Sequence, residues 1–249
     1  MGHPVLQVQE ITGGYMKGKP VLHRVSIDIQ SHEMVGLIGL NGAGKSTTIK
    51  HILGLLDPFE GTILLGGMKR KDSPAEYASR MSYIPETPLF YEHLTLWEHL
   101  ELTAMAYQLN QSDFEKRAKE LLQEFRMERM VNWFPSTFSK GMKQKLMIIN
   151  AFLTDPALYI VDEPFVGLDP RGIQSLLQML EKKKREGASI LMSTHILATA
   201  EQYCDRLILL HEGRVVLRGT LADLRQQTGM ERASLEDIFL TVTEVQRNG

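Results

Sequence analysis

The sequence predicts an α/β fold with a parallel core sheet, a β layer at the N-terminal side and a helical insertion. Three observations predict it. Met34-Val35-Gly36-Leu37-Ile38, Ala157-Leu158-Tyr159-Ile160-Val161 and Ser189-Ile190-Leu191-Met192 are continuously apolar, the pattern of strands buried on both faces of a parallel sheet. Segments of helical periodicity separate these runs. Before about residue 35 the pattern changes to alternation, as in Val25-Ser26-Ile27-Asp28-Ile29, which marks strands with one buried face.

Taken in order, the first apolar run is followed by Ile49, Ile52, Leu53 and Leu56 at helical spacing. Thr95 to Phe125 reads as helices broken at Asn110-Gln111-Ser112-Asp113, where Ser112 or Asp113 is expected to cap the second helix. Pro135-Ser136-Thr137-Phe138-Ser139 interrupts structure before another helix begins near Gly141. The basic run Lys182-Lys183-Lys184-Arg185 has two readings, a solvated helix end stopped by Gly187 or a patch drawn to an anionic membrane surface. Leu235-Glu236-Asp237-Ile238-Phe239-Leu240 reads as a short terminal helix, and Cys204 as a small core residue. The expected organisation is one domain over 1–243. Its core covers about 1–86 and 151–222, the helical part about 87–150 and a helical tail about 223–249.

The 249 residues, 43% hydrophobic and 23% charged, are enough for a sizeable core without metals or disulfides. A formal net charge of -2 gives no reason to expect a nucleic-acid partner, and a single cysteine fits a reducing compartment. Met1-Gly2-His3-Pro4-Val5 lacks the basic start and apolar run of a secretory signal. No apolar run approaches the roughly 20 residues a spanning helix needs, so a membrane role would require another chain.

Gly39-Leu40-Asn41-Gly42-Ala43-Gly44-Lys45-Ser46 is a complete Walker A pattern between an apolar strand and an amphipathic helix. Its glycines let backbone N–H groups curl around phosphate, with Lys45 placed for the β- and γ-phosphates and the Ser46 hydroxyl for Mg²⁺. The positive end of the following helix points at the same anion. The apolar run through Val161 ends in Asp162 and Glu163, which puts two carboxylates at the edge of the sheet where ligands bind. Asp162 suits Mg²⁺ through water, and Glu163 suits orienting and deprotonating an attacking water. The third run leads to His195 at that same edge, in place to touch a γ-phosphate or the water.

Phe138-Ser139-Lys140-Gly141-Met142-Lys143-Gln144 resembles the signature segment of the ABC (ATP-binding cassette) family and falls shortly before the Asp-Glu strand, as in that family. Gly167-Leu168-Asp169 resembles its D-loop, His195 its switch histidine, and Tyr15 after Gly13-Gly14 its adenine-stacking aromatic. The likeness runs from about residue 5 to about residue 243. It implies the ABC ATPase fold, with an antiparallel N-terminal β subdomain, and an ATP site of Tyr15, Gly39, Asn41, Gly42, Ala43, Gly44, Lys45, Ser46 and Thr47. It also implies a homodimer that sandwiches ATP, in which Ser139, Lys140, Gly141 and Met142 of one copy meet the γ-phosphate held by the other. An integral membrane permease as partner follows from it too, with the chain cytoplasmic and peripheral on the inner face of the membrane. Tyr83-Ile84-Pro85-Glu86-Thr87-Pro88 together with the signature segment is similar to ATPase subunits of the Ecs type, bacterial transporters akin to exporters.

Four positions depart from the family pattern, one of them Val166, which stands where a serine is common before Gly167-Leu168-Asp169. Glu86 stands where the Q-loop glutamine is usual; a carboxylate accepts a bond from metal-bound water but donates none unless protonated, and it adds charge beside Asp162 and Glu163. Lys140 and Met142 replace a glycine and the glutamine of the signature, and Lys140 either adds charge near a phosphate or points to solvent. Pro88-Leu89-Phe90-Tyr91 and Leu94-Thr95-Leu96-Trp97 form an aromatic-rich stretch, read as core of the helical part and, as the resemblance implies, as the place where a membrane subunit docks.

Overall fold

The computed structural model describes residues 4–245. Strands β1 (Leu6–Gly13), β2 (Leu22–Ile29) and β4 (Glu60–Leu65) form an antiparallel sheet in the order β2-β1-β4. In β2, Val25, Ile27 and Ile29 are buried while Ser26 and Asp28 are partly exposed, which is the alternation seen in the sequence. The second sheet has six strands. Its members are β3 (Met34–Ile38), β5 (Met81–Ile84), β6 (Leu158–Asp162), β7 (Ser189–Thr194), β8 (Arg206–His211) and β9 (Arg214–Gly219). They lie in the order β5-β6-β7-β3-β8-β9, and only β9 runs antiparallel to its neighbour.

Every residue of β3, β6 and β7 is buried, because both faces of this sheet are covered. On one face Val35, Leu37 and Ile160 share a core with Val8, Ile11 and Ile27 of the antiparallel sheet and with Ile49 of α1 (Lys45–Ile52). On the other, Met34, Val161 and Met192 pack beneath α3 (Leu96–Ala106), α4 (Gln111–Phe125), α5 (Lys140–Phe152) and α6 (Pro170–Arg185). A third core joins Ile38, Leu207 and Leu209 to α8 (Leu221–Thr228) and α9 (Leu235–Val245), with Ala200 of α7 (Leu197–Tyr203). Short α2 (Pro74–Ser79) leads into β5.

Parallel register sets the functional edge. Ile38 is opposite Thr194 and Asp162 opposite Ser193, so the carboxyl ends of β3, β6 and β7 finish side by side. Ligands of open α/β sheets bind beyond those ends.

Two local expectations are corrected. Apolar spacing continues to Leu56, but α1 stops at Ile52 with Leu53 as its cap, and Gly54 (φ 72°) turns the chain away. Asn110, not Ser112 or Asp113, caps α4: its side chain accepts a 2.9 Å bond from the Asp113 backbone N–H. The basic run at the end of α6 is met by acids. Lys183 pairs with Asp155, Lys184 with Asp205 at 3.1 Å, and Lys182 and Arg185 face Glu186 and Glu181. This is the solvated, paired helix end. Cys204 packs under Gly36 and its thiol is pushed up to about 12 by burial, far from a reactive thiolate. Residues 246–249 of the expected tail lie outside the described residues.

Candidate active site

The loop from β3 to α1 makes one wall of a cleft of about 530 Å³. Gly42 (φ 84°) and Gly44 (φ 108°) adopt a left-handed backbone closed to most side chains, and no atom lies within 4 Å of where a Gly42 Cβ would stand. Backbone can therefore approach a ligand there directly. Gly44 caps α1, whose first N–H groups have no intrahelical acceptor and face the loop. Thr48 steadies that turn through a 3.0 Å bond to the Gly44 carbonyl. Asn41, Lys45, Ser46 and Thr47 line the cleft, while Gly39 and Ala43 support the loop from behind.

Lys45 is 6% exposed. Its Nζ donates to the Gly39 carbonyl at 2.8 Å and lies 3.3 Å from Glu163 Oε1. Glu163 Oε1 is buried with no hydrogen bond to a protein donor. A third and longer contact runs from Nζ to the Leu40 carbonyl at 3.5 Å, the bond that an arriving anionic oxygen would displace first. Glu163 itself sits just past the end of β6 at φ 45°, a strained left-handed conformation of the kind that collects at functional sites. That turn is held by the Glu163 N–H, which donates to the Ser193 carbonyl at 3.1 Å. Glu163 Oε2 accepts from His195 Nδ1 at 2.7 Å and from the His195 backbone N–H at 3.3 Å. One carboxylate is thus aimed from both sides, and the His195 ring, on the exposed rim, keeps Nε2 free of this contact.

Asp162 is 3% exposed and accepts a short bond from the Ser193 hydroxyl. Burial pushes its carboxyl above the usual range, against the pull of the Ser193 and Ser46 hydroxyls beside it. A buried carboxylate with a hydroxyl at its side, next to a second carboxylate, suits a hard divalent cation arriving with a phosphate. Tyr15 stands at the mouth, 57% exposed, with its hydroxyl 3.1 Å from Lys50 Nζ and 3.5 Å from Thr47 Oγ1. Lys50 Nζ lies over the ring, 5.0 Å from its centre, and the exposed aromatic suits a flat base. Glu86 lines the opposite side, exposed.

The other sequence-derived residues lie elsewhere. Ser139 caps α5 by accepting from the Met142 N–H at 3.3 Å; Lys140, Gly141 and Met142 form that first turn. None of the four lines the cleft. Lys140 and Gly141 rest instead on the turn before α6: a Cβ on Gly141 would stand 2.5 Å from the Gly167 carbonyl, and the Lys140 stem crosses Gly167. Asp169 caps α6 through the Gly172 N–H at 2.7 Å, a bond that holds its carboxyl below the usual range. Val21, at the mouth beside Tyr15, and Ser193, which joins Asp162 to the Glu163 turn, were not foreseen. Ser193 had a faint signal in its place at the end of the third apolar run.

A phosphate-cradling loop, a strand-end acid pair and a histidine at one sheet edge define a P-loop nucleotide hydrolase. The sequence matches the ABC transporter family over residues 22–166, and an AAA domain over 132–201. It is 58% identical over 240 residues to the ABC-type transporter ATP-binding protein EcsA of Bacillus subtilis, covering 96% of this chain and 97% of that one. An uncharacterised ABC transporter ATP-binding protein of the same organism is 46% identical, with 94% of each chain covered. Among solved structures, an ATP-binding subunit of an ABC transporter superposes with a TM-score of 0.93 at 54% identity, covering 96% of this chain and 99% of that one. A dimeric ATP-binding cassette in a post-hydrolysis state with ADP and phosphate gives 0.78 at 26% identity, over 87% and 98%. The chain belongs to the ABC transporter family: it is an ATP-binding subunit and an ATPase, with the ABC ATPase fold and a likeness to the Ecs type.

Proposed function

We propose that two copies of this chain close on two molecules of ATP, and that closure and release drive a separate membrane-spanning chain, in the direction of export. One observation carries the reading. The turn Ser139–Met142 lines no part of the P-loop cleft of its own chain, which favours a meeting with a phosphate held by another copy. The dimeric, post-hydrolysis cassette among the structural neighbours supports the same arrangement. No helix among the described residues is long and apolar enough to cross a membrane; in this reading the spanning part belongs to a partner chain, at whose inner face this one sits.

In this reading Tyr15 stacks on adenine, and the backbone N–H groups of Gly39 to Thr47 with Lys45 hold the phosphates. Ser46 and Asp162 would hold Mg²⁺, which would neutralise phosphate charge when bound. Glu163 takes the proton of the attacking water, while His195 fixes Glu163 through Nδ1 and keeps Nε2 free for the phosphate. Asp169, at the start of α6, holds the turn on which the signature rests.

Two variants probe the departures from the family pattern. Glu86→Gln removes a like charge from the neighbourhood of Asp162 and Glu163; it is expected to hydrolyse ATP at least as fast as the wild-type chain, up to about threefold faster. A near-complete loss in steady-state turnover would give the carboxylate an essential part. Gly141→Ala drives a methyl into the Gly167 carbonyl and displaces the first turn of α5. Turnover should fall at least about tenfold, about 1.4 kcal/mol of barrier, while ATP affinity in a fluorescence titration stays within about twofold.

Affinity purification of the tagged chain from its own cells in mild detergent tests the assignment. A polytopic membrane protein recovered in stoichiometric amount is expected. Recovery of ribosomes or DNA-bound proteins, with no membrane chain, would reassign the ATPase to a soluble task.

A further inference from the structure

Two consecutive residues of α5 grip the loop that follows β5. Gln144, 1% exposed, donates from Nε2 to the Pro85 carbonyl at 3.1 Å. Beside it, Lys143 Nζ lies 5.2 Å from the centre of the Phe90 ring. Pro85 and Phe90 bracket Glu86, which lines the nucleotide cleft. One turn earlier the same helix carries Ser139 as its cap and rests Gly141 against the Gly167 carbonyl. A single rigid element therefore touches the loop at the cleft and the turn that the cleft of another copy would meet.

The choice of a polar residue at 144 is not explained by stability. Gln144 Oε1 is buried without a hydrogen-bond partner, which is destabilising. An apolar side chain of the same length would fill the space without an orphaned oxygen. What glutamine adds is the bond to Pro85, a contact between segments 59 residues apart in sequence.

We infer that Gln144 is a positioning residue that locks the Glu86 loop to the first turn of α5, so that a shift in one is transmitted to the other. The inference rests on the reading of the cleft as the site of ATP hydrolysis, and adds a residue outside that cleft on which turnover depends. Without the lock, ATP still binds, because the P-loop and Tyr15 are untouched, but the loop and the signature turn no longer move as one.

Gln144→Met, which keeps length and loses the donor, tests it in the full-length chain with MgATP. Expected are a kcat at least fivefold below wild type, a KM for ATP within twofold, and faster hydrogen exchange in both 86–90 and 139–143 with α1 unchanged. A kcat less than fivefold below wild type, or exchange that rises in only one of the two segments, overturns the inference. A purely structural role would lower the unfolding midpoint without splitting kcat from KM. Should the methionine variant fail to fold, Gln144→Glu, which keeps the shape but donates no bond when ionised, is read against the same criteria. Wild-type chain that hydrolyses no ATP would refute the reading of the cleft; active wild type with unaffected variants refutes this inference alone.

Discussion

Glu163→Gln is expected to bind ATP with wild-type affinity and to lose at least about 100-fold in turnover, the lower range of what a positioned general base contributes. The side chain is aimed by the His195 ring on Oε2 and by Lys45 beside Oε1, and its own backbone is fixed to Ser193. Glutamine fits that frame with the same number of heavy atoms, so the loop and the P-loop lysine keep their places. What it cannot do is accept a proton. An amide nitrogen turned toward His195 would also face a ring nitrogen that now donates, which forces the other tautomer or the other amide orientation. Phosphate release under steady state, set against equilibrium binding of ATP, separates the two effects. Turnover within about tenfold of wild type would place the base on another residue.

Lys45→Ala is expected to be the more general lesion. The ammonium is buried, tied to the Gly39 carbonyl and paired with Glu163, and it is the cation of the cleft that reaches the phosphate loop from within. Its removal takes a charge-assisted bond from the nucleotide and leaves the buried Glu163 oxygen with no counter-charge, repelling the same phosphates. Both effects act against binding. ATP affinity should fall by about 100-fold or more, about 2.7 kcal/mol, and hydrolysis should fall below detection at ordinary ATP concentration. Calorimetric titration of ATP checks the first and phosphate release the second. Retained turnover would remove Lys45 from the site.

How far the sequence carries depends on whether a feature is local. The loop Gly39–Ser46 is legible because one contiguous stretch holds both the glycines and the lysine. Asp162 and Glu163 are legible because an apolar run ends on them. The parallel sheet can be read from three runs whose every residue is buried. Ser193 is different: its bond to Asp162 exists because two strands separated by 31 positions pair in one register. Gln144 and Pro85 likewise meet only after folding. The cap of α4 is not legible because Asn110, Ser112 and Asp113 are all competent caps and the backbone path decides among them. Leu53 and Leu56 continue the spacing of α1, yet they serve the turn at Gly54, where the helix is already over. The acids that meet the basic end of α6 include Asp155 and Asp205, which come from other segments of the chain.

The position of Ser139–Met142 away from the cleft makes the second copy the centre of this account. The most direct test is the mass in solution of the Glu163→Gln chain, measured by light scattering with and without MgATP. A dimer that forms with ATP and falls back to monomer with ADP is predicted. A chain that stays monomeric at saturating ATP would contradict it, and would mean that the site works without a partner's signature turn.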